Sequence, residues 1–448
     1  MTFSRETIVA VATPPGMGGI GVVRTSGDAV PSVATALLGF VPEPRVATLA
    51  TFRNDAGEPI DQGIALYFAA PRSYTGEHVL ELHGHGGPVV LDMLVTRVLQ
   101  LGARLARAGE FSERAFLNGK LDLAQAEAIA DLIQSGSAMA ARCAVRSLQG
   151  AFSKRVRQVV ETITLLRVHI EAAIDFPEEE VDFLEDQELS RRMQQARAHL
   201  DDLAQSARQG SLLRDGIRVV IAGLPNAGKS SLFNTLVEQD RVIVNVNPGT
   251  TRDLIEEAIQ LDGMPLHVAD TAGLRDTQDE VETEGVRRAH QAMHEADRIL
   301  LVMDDSDQQT SQTSLIDQLP ADSSVTLVRN KIDLTGRTPG LSEESSLPVV
   351  ALSVKTGAGV PVLRDHLKAC MGFEQAGEST FLARRRHLAA IDQAREHLAR
   401  GYEQLELRAG ELLAEELRLV QQSLGEIVGE FTSEELLGRI FAEFCIGK

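Results

Sequence analysis

The sequence predicts a three-part fold, in which an α/β domain is inserted into a helical domain that follows an α/β N-terminal domain. Three changes along the 448 residues indicate this arrangement. Short β-rich runs with Gly and Pro turns fill 1–118, and apolar residues at helical spacing fill 119–213. Strands alternate with helical segments over 214–376, and helical spacing returns over 377–448.

Apolar runs bounded by turns predict the strands of both α/β domains. In the N-terminal domain the helical stretch 89–102 follows the runs, which favours a sheet covered by helices. In the inserted domain each run is followed by a helical segment, which is the pattern of a parallel sheet wrapped by helices. The runs are residues 7–12, 19–24, 63–68 and 78–83, and then 217–222, 266–270, 298–304, 325–330 and 349–353.

The two helical segments each carry an apolar stripe that must be buried. We expect the stripes to pack against each other, which makes the domain between them an insertion. A Thr-Ser-Glu-Glu sequence at 432–435 has the form of a capping box that begins a last helix. The stripes are Val156, Val159, Ile163, Leu166, Ile170 and Ile174, and then Leu388, Ile391, Leu398, Tyr402 and Leu405.

Composition limits the classes of function open to the chain. Its 44 basic and 64 acidic residues give a formal charge of −20, which opposes binding nucleic acid by a blanket of positive charge. Three distant cysteines, Cys143, Cys370 and Cys445, exclude a disulfide framework and a cysteine zinc site. The sequence has neither a signal-peptide pattern nor an apolar stretch of membrane-spanning length. We therefore expect a cytoplasmic protein with neither membrane nor DNA as a partner.

Residues 223–230, Gly-Leu-Pro-Asn-Ala-Gly-Lys-Ser, match the phosphate-binding pattern GxxxxGK[ST] between a predicted strand and a predicted helix. In such a turn, successive backbone N–H groups point at phosphate oxygens, at a helix N-terminus whose dipole favours anions. Lys229 is expected to neutralise the β- and γ-phosphates, and the Ser230 hydroxyl to bind Mg²⁺. The loop therefore predicts a nucleoside triphosphate site.

Three further motifs follow in the order of a guanine-nucleotide domain, each at a predicted strand end. Asp270-Thr-Ala-Gly places Asp270 near the metal and the Gly273 N–H near the γ-phosphate. Asn330-Lys-Ile-Asp supplies Asp333, whose carboxylate accepts from guanine N1–H and the 2-amino group, a donor pair that adenine lacks. Residues 353–355, Ser-Val-Lys, stand where a GTPase supports the O6 of the base. These motifs predict a GTPase and not an ATPase.

The segment 245–253 is a candidate switch, in which Thr251 is predicted to complete the Mg²⁺ shell. Leu274 stands where Ras-like enzymes carry a water-orienting glutamine, so that role must lie elsewhere. No arginine finger can be assigned from the sequence, because a surface salt bridge is favoured for each of the two candidates, Arg252 and Arg275. A cation could supply the same charge, and Asn226 offers a side-chain carbonyl beside the phosphates. Carboxylates downstream are candidates for orienting the water: Asp279, Glu280 and Glu282.

The chain resembles the MnmE/TrmE family of tRNA-modification GTPases over essentially its whole length. Other GTPases share the phosphate-loop elements, whereas the N-terminal segments and the terminal Phe-Cys-Ile-Gly-Lys are specific to this family. The segments that carry the resemblance are 13–27, 73–88, 109–133, 223–234, 249–253, 270–275 and 444–448. The family implies an N-terminal domain of folate-binding type and a discontinuous helical domain with an inserted P-loop GTPase domain, as the packing argument predicts.

The resemblance implies that the N-terminal domain forms a homodimer and binds a one-carbon tetrahydrofolate of the 5-formyl or methylene type. The folate-binding positions then fall on Arg24, Glu81, Lys120 and Lys448. This assignment suits the ligand, because the folate glutamate tail is anionic and the pterin presents donors that a carboxylate accepts. Cys445 matches a cysteine of the family's terminal modification motif.

The resemblance also implies a potassium-activated GTPase, with K⁺ where an arginine finger would act. Asn226 would bind K⁺ through its side chain, and Asn245, Asn247 and Thr250 through backbone oxygens. Glu282 falls on the water-orienting glutamate, so the predicted catalytic residues are Glu282, Lys229 and Asp270. The predicted GTP-binding residues are Asn226, Ala227, Gly228, Lys229, Ser230, Ser231, Asn245, Thr250, Thr251, Asp270, Thr271, Ala272, Gly273, Asn330, Lys331, Asp333, Ser353 and Lys355.

The reaction implied by the family adds an aminomethyl-type (carboxymethylaminomethyl) group to C5 of the wobble uridine (position 34) of certain tRNAs. It requires a flavin- and NADH-using partner, MnmG, so FAD is expected on the partner, and the acidic chain is expected to bind tRNA mainly together with that partner. The G motifs alone leave two alternatives open: an Era- or Der-like GTP switch in ribosome assembly, and a folate-dependent one-carbon enzyme with a regulatory G domain. Residues 1–120 and the C-terminal motif favour the modification GTPase over the assembly switch.

Overall fold

The structure is a computed structural model that describes residues 6–175, 187–240, 256–261, 264–270, 291–307, 316, 319–320, 323–344, 346–370, 380–431, 433–442 and 444–447. The chain divides into two compact units, each assembled from separate stretches. The first unit comprises Met1–Ala130, Ser147–Ala196 and Gln393–Lys448, and the second comprises Asp131–Arg146 and Arg197–Asp392. The domain boundaries placed after residues 118, 213 and 376 remain predictions.

A six-stranded sheet with two helices forms the described N-terminal part of the first unit. Its elements are β1 (Ile8–Val11), β2 (Gly18–Ser26), α1 (Val30–Leu38), β3 (Thr48–Arg53), β4 (Pro59–Phe68), β5 (Val79–Gly86), α2 (Pro88–Gln100) and β6 (Arg104–Leu105). The strand order is β3-β4-β5-β2-β1-β6, and both helices share one apolar core with the sheet. The four predicted runs are confirmed as strands.

Strand β5 separates the apolar core from a polar face. Leu80 and Leu82 are fully buried in the core that α1 and α2 cover. Because successive side chains in a strand point to opposite faces, Glu81, His83 and His85 all lie on the other face. Antiparallel pairing places Arg24 of β2 directly opposite Glu81. We call this side of the sheet the open face.

The helices after the N-terminal sheet are α3 (Glu110–Leu117), α4 (Leu123–Gln134), α5 (Ala138–Leu148), α6 (Ala151–Asp175), α7 (Gln187–Asp215), α8 (Lys229–Asp240), α9 (Ile332–Thr335), α10 (Val360–Cys370), α11 (Arg385–Glu406), α12 (Gly410–Val428) and α13 (Glu434–Ala442). Helix α6 packs along α12, and Arg167 Nη1 donates to Gln421 Oε1 at 2.6 Å. The prediction that the two separate helical segments pack together is confirmed for α6 and α12. The second predicted stripe lies on α11, and its packing against the α6 stripe stays a prediction. None of the described helices is long and apolar enough to cross a membrane.

The second unit contains a seven-stranded sheet in the described chain. Its strands are β7 (Ile217–Gly223), β8 (Glu256–Leu261), β9 (Met264–Asp270), β10 (Arg298–Asp304), β11 (Val325–Asn330), β12 (Gly340–Glu344) and β13 (Leu347–Ala351), in the order β12-β13-β11-β10-β7-β9-β8. The five central strands are parallel, as predicted. The edge strands β8 and β12 pair antiparallel with their neighbours, because only two residues join each pair.

Candidate functional site

The loop that joins β7 to α8 adopts backbone conformations that few residues allow. Gly223 and Gly228 have φ angles of 137° and 99°, and Asn226 has a φ of 66°. A Cβ atom on Gly223 would overlap the Val302 carbonyl, and one on Gly228 would overlap the Asn330 amide. Glycine is therefore required at both positions, which are the two glycines of the phosphate-binding pattern.

Lys229 is held across this loop. It is buried at the first position of α8, and its Nζ donates to the Leu224 carbonyl at 2.9 Å. The exposed Ser230 and Ser231 follow in the first turn of the helix, where backbone N–H groups lack intrahelical partners. A positioned ammonium, a hydroxyl and these N–H groups are the donors that a triphosphate with Mg²⁺ requires.

Asn330 connects the phosphate loop to the predicted base-binding segments. Its side chain is buried, with Nδ2 donating to the Ala227 carbonyl at 3.0 Å. Its Oδ1 accepts from the Val354 N–H at 3.1 Å. One amide therefore joins three of the sequence motifs, and it fixes the distance between the phosphate loop and the base-binding segments.

Two carboxylates organise the remaining base-binding residues. The Ser353 hydroxyl donates to Asp333 Oδ1 at 2.7 Å, and Lys331 Nζ donates to Asp304 Oδ2 at 2.7 Å. The backbone N–H and the hydroxyl of Ser306 both donate to Asp304 Oδ1. Burial acts to raise the pKa of Asp304, but these hydrogen bonds hold that pKa below its usual value. An ionised Asp304 therefore anchors the Lys331 side chain.

The parallel strands bring these motifs to one edge of the sheet. Gly223 pairs with Val302 at the ends of β7 and β10, and Asn330 pairs with Asp304 at the ends of β11 and β10. Asp270 ends the neighbouring strand β9 at the same edge, and Lys355 is exposed in the Ser353 loop. Nine predicted site residues lie outside the described residues: Asn245, Asn247, Thr250, Thr251, Thr271, Ala272, Gly273, Glu282 and Lys448.

A second polar cluster lies on the open face of the N-terminal sheet. Arg24 Nε donates to Glu81 Oε1 at 2.8 Å. The Arg24 guanidinium carbon lies 5.8 Å and 5.7 Å from the ring centres of Tyr74 and Phe111, within cation–π distance. His83 Nε2 lies 3.2 Å from Glu81 Oε2. Two of the four predicted folate positions are thus in direct contact. We call these residues the Arg24–Glu81 cluster.

The C-terminal tail reaches this cluster from the far end of the chain. Arg24 Nη1 donates to the Gly447 carbonyl at 3.3 Å, a contact between residues 423 positions apart. The Gly109 N–H donates to the Cys445 carbonyl at 3.4 Å, and the Cys445 side chain is exposed. Lys120 is also exposed, beside the loop that carries Tyr74: a Cβ atom on Gly76 would lie 3.3 Å from Lys120 Cε.

A buried ion network at the start of α3 supports the Arg24–Glu81 cluster. Glu110 accepts two hydrogen bonds from Arg104, at 2.8 and 2.6 Å, and one from Arg114 at 3.0 Å. The Arg107 N–H donates to the same carboxylate at 2.9 Å. Burial acts to raise the pKa of Glu110, but these donors lower it to about 2. The network holds the start of α3, and with it Phe111, beside Arg24.

Comparison with known proteins covers nearly the whole chain. A family model described as GTP-binding protein TrmE N-terminus matches residues 7–120, and one described as MnmE helical domain matches residues 123–445. The tRNA modification GTPase MnmE of Yersinia pseudotuberculosis serotype IB is 56% identical over 450 residues, which is 99% of each chain. That of Stutzerimonas stutzeri is 58% identical over 455 residues, covering both chains completely.

The chain belongs to the MnmE/TrmE family. Membership confirms the predicted family, fold class and GTP hydrolase activity. A solved structure of Aquifex aeolicus Era bound to GDP and aluminium fluoride is 24% identical, covers 40% of this chain and 66% of that chain, and has a TM-score of 0.28. A TM-score of 0.28 is too low to carry an argument. The roles of individual residues in this chain therefore depend on the geometry described above, and they remain predictions.

Two residues that contact the predicted sites were missed in the sequence. Asp304 pairs with Lys331, and His83 pairs with Glu81. A strand-end position at the nucleotide edge could have pointed to Asp304. A position two residues after Glu81 in a predicted strand, and hence on the same face, could have pointed to His83.

Proposed function

We propose that this chain is a potassium-activated GTPase that acts with the flavoprotein MnmG on certain tRNAs. The pair adds a carboxymethylaminomethyl-type group to C5 of the wobble uridine, using a one-carbon tetrahydrofolate. The observation that carries the proposal is identity of 56% with a tRNA modification GTPase across 99% of both chains, a span that includes both polar sites. FAD belongs to MnmG, and the chain works in the cytoplasm.

In the nucleotide site, Lys229 neutralises the β- and γ-phosphates, and Ser230 with Thr251 holds Mg²⁺ near Asp270. Held by these residues, Mg²⁺ would supply positive charge to the phosphoryl oxygens during transfer. Glu282 orients the attacking water, since no glutamine follows the Asp-Thr-Ala-Gly motif. Asp333 selects guanine. The buried Lys229 ammonium and the adjacent exposed Ser230 hydroxyl support these roles.

Asn226 and backbone oxygens of Asn245, Asn247 and Thr250 would hold K⁺, which would supply the positive charge of an arginine finger. The exposed Asn226, with its left-handed backbone in the phosphate loop, supports this role. Replacing KCl with NaCl at equal ionic strength is expected to slow GTP hydrolysis at least about 10-fold, because the smaller Na⁺ fits a K⁺-sized site poorly and the finger position then loses its positive charge. Asn226→Gly, which tolerates the backbone and removes the amide, should lose the potassium effect. An unchanged rate in NaCl would contradict the proposal.

The tetrahydrofolate is held on the open face by Arg24, Glu81, Lys120 and Lys448. The residues fit this ligand: Glu81 has acceptor sites left for pterin donors, and Arg24 and the exposed Lys120 offer cations for the anionic tail. The ligand supplies the one-carbon unit. Isothermal titration with 5-formyltetrahydrofolate tests the site, and we expect Glu81→Gln to weaken binding about 10-fold or more. Absence of binding to the unaltered protein would remove folate from the proposal.

The N-terminal domains form a homodimer, and tRNA is bound mainly in the complex with MnmG. The acidic composition, with a formal charge of −20, supports this division, because phosphate neutralisation needs clustered basic residues. Filter binding of tRNA with and without MnmG tests it. Strong binding to the isolated chain would contradict it.

Mass spectrometry of tRNA nucleosides from a strain lacking this protein separates the proposal from the alternatives. Loss of the C5-substituted wobble uridine supports modification. Intact nucleosides with accumulated ribosomal precursors would instead indicate an Era- or Der-like assembly switch. One-carbon transfer by the purified chain without MnmG would indicate a folate enzyme with a regulatory G domain.

A further inference from the structure

Glu81 is held at both carboxylate oxygens. Arg24 Nε donates to Oε1 at 2.8 Å, and His83 Nε2 lies at hydrogen-bond distance from Oε2, at 3.2 Å. The Glu81 and His83 side chains are 16% and 29% exposed, so the pair is accessible from the open face. His83 has no place in the folate assignment or in the GTPase mechanism above.

A second hydrogen bond changes what the carboxylate can do. The terminal torsion of a glutamate side chain is broad, so a carboxylate held at one oxygen rotates about that contact. Donors on both oxygens fix the plane of the group. A carboxylate offers about four acceptor positions, so positions remain on Glu81 after Arg24 and His83 have taken one each. These remaining positions then face a ligand in one orientation.

We propose that His83 is a positioning residue for pterin recognition, an inference that depends on the proposed folate function. The pterin ring presents N3–H and the 2-amino group as adjacent donors, and a carboxylate in a fixed plane can accept from both. By donating from Nε2 to Glu81, His83 sets that plane before the ligand arrives. Preorganisation of this kind improves affinity because less ordering remains for the binding step.

The neighbouring His85 provides a matched control. It lies two residues further along β5 on the same open face, with its side chain 75% exposed. It pairs through Nδ1 with Asp61 Oδ1 at 2.8 Å and makes no hydrogen bond with Glu81 in the described structure. The two histidines therefore share residue type, strand and face, and differ in the carboxylate that they contact.

Isothermal titration of the full-length protein with 5-formyltetrahydrofolate tests the proposal. We expect His83→Ala to raise Kd about 3- to 10-fold, the effect of one hydrogen bond to a charged group. His83→Gln, which keeps a donor at similar reach, should restore Kd to within about 2-fold, and His85→Ala should leave it unchanged. In a Glu81→Gln background, His83→Ala should add little, because the carboxylate that His83 positions is gone.

Equal Kd values for His83→Ala and the unaltered protein would overturn the proposal, as would equal losses in His83→Ala and His85→Ala. The geometry also has a test that needs no folate. Histidine side-chain ¹H–¹⁵N spectra, assigned with His83→Gln and His85→Gln, report which ring nitrogen carries the proton. We expect Nε2–H for neutral His83 and Nδ1–H for neutral His85. Failure of this pattern overturns the His83 pairing, whereas a correct pattern without folate binding removes only the folate proposal.

Discussion

The nucleotide site and the Arg24–Glu81 cluster are built in different ways. The nucleotide site is formed by contiguous motifs whose main chain determines the geometry, with φ angles of 66°, 99° and 65° at Asn226, Gly228 and Lys331. The Arg24–Glu81 cluster is formed by side chains from separate strands, a helix and a tail 423 positions away. The nucleotide site can therefore be predicted from local sequence spacing, whereas the Arg24–Glu81 cluster cannot.

This difference predicts different responses to substitution. Changes in the nucleotide motifs should alter affinity or base selection with the fold intact, because the central sheet carries that geometry. Changes beneath the Arg24–Glu81 cluster should act through stability, because buried ion pairs hold its parts together. An effect of a substitution on the site in the other region would contradict the comparison.

Asp333→Asn should produce the largest effect. Guanine donors at N1 and the 2-amino group would lose their acceptor, and we expect GTP affinity to fall about 100-fold or more. An amide can instead donate to the C2 carbonyl of xanthine, so xanthosine triphosphate should bind. Titration with fluorescent analogues of both nucleotides measures this exchange. A retained preference for GTP, or weaker folate binding, would contradict the assignment.

Glu110→Gln should lower the free energy of unfolding by about 3 kcal/mol at neutral pH, since it breaks a buried ion network. The pKa of Glu110, about 2 when folded against 4.5 ordinarily, makes this stabilisation present above pH 4.5. It is lost as pH falls through about 2. Urea unfolding should therefore show a steeper acid loss in the unaltered protein than in the variant.

The control for this network is Glu113→Gln, because Glu113 pairs with the exposed Arg107 at 2.9 Å. That change should lower the free energy of unfolding by at most about 1 kcal/mol. Equal losses of unfolding free energy in the two variants would show that the buried Glu110 network stabilises the fold no more than an exposed ion pair does. GTP affinity should be unaltered in both, since the nucleotide motifs belong to the other unit.

Sequence spacing predicted the parts of this molecule whose physics is local. The phosphate loop, the strand ends and the period of the α6 stripe could be derived, because turns, strands and helices repeat over a few residues. Arg24 and Glu81 were assigned to one site only through family resemblance, and their direct contact was not predicted, because cross-strand register is invisible in the sequence of one strand. The Asp304–Lys331 pair was missed because it joins two strand ends that the fold alone brings together.

Asn330→Ala removes the amide that joins the phosphate loop to the base-binding segments. The variant loses the hydrogen bond that Asn330 donates to the Ala227 carbonyl and the one that it accepts from the Val354 N–H. Loss of these two hydrogen bonds should weaken nucleotide binding by about 2 kcal/mol. We expect GTP and GDP affinity to fall about equally, some 30-fold, with guanine preference retained. Thr356→Ala, in the exposed loop that carries Ser353, is the control and should change affinity by less than about 2-fold. A loss of affinity for GTP but not for GDP would instead indicate that Asn330 senses the γ-phosphate.

Asp304→Asn should produce the smallest effect. The pair with Lys331 is partly exposed, at 23% and 34%, so its loss should cost about 0.2–1 kcal/mol and weaken GTP binding less than about 6-fold. A higher salt concentration should reduce the difference in GTP affinity between Asp304→Asn and the unaltered protein, because exposed ion pairs are screened by salt. A double-mutant cycle with Lys331→Met isolates the contact: if Asp304 acts by anchoring Lys331, then Asp304→Asn adds nothing once the lysine is gone. Full additivity would assign Asp304 a role of its own in the nucleotide site, and the anchoring role would be wrong.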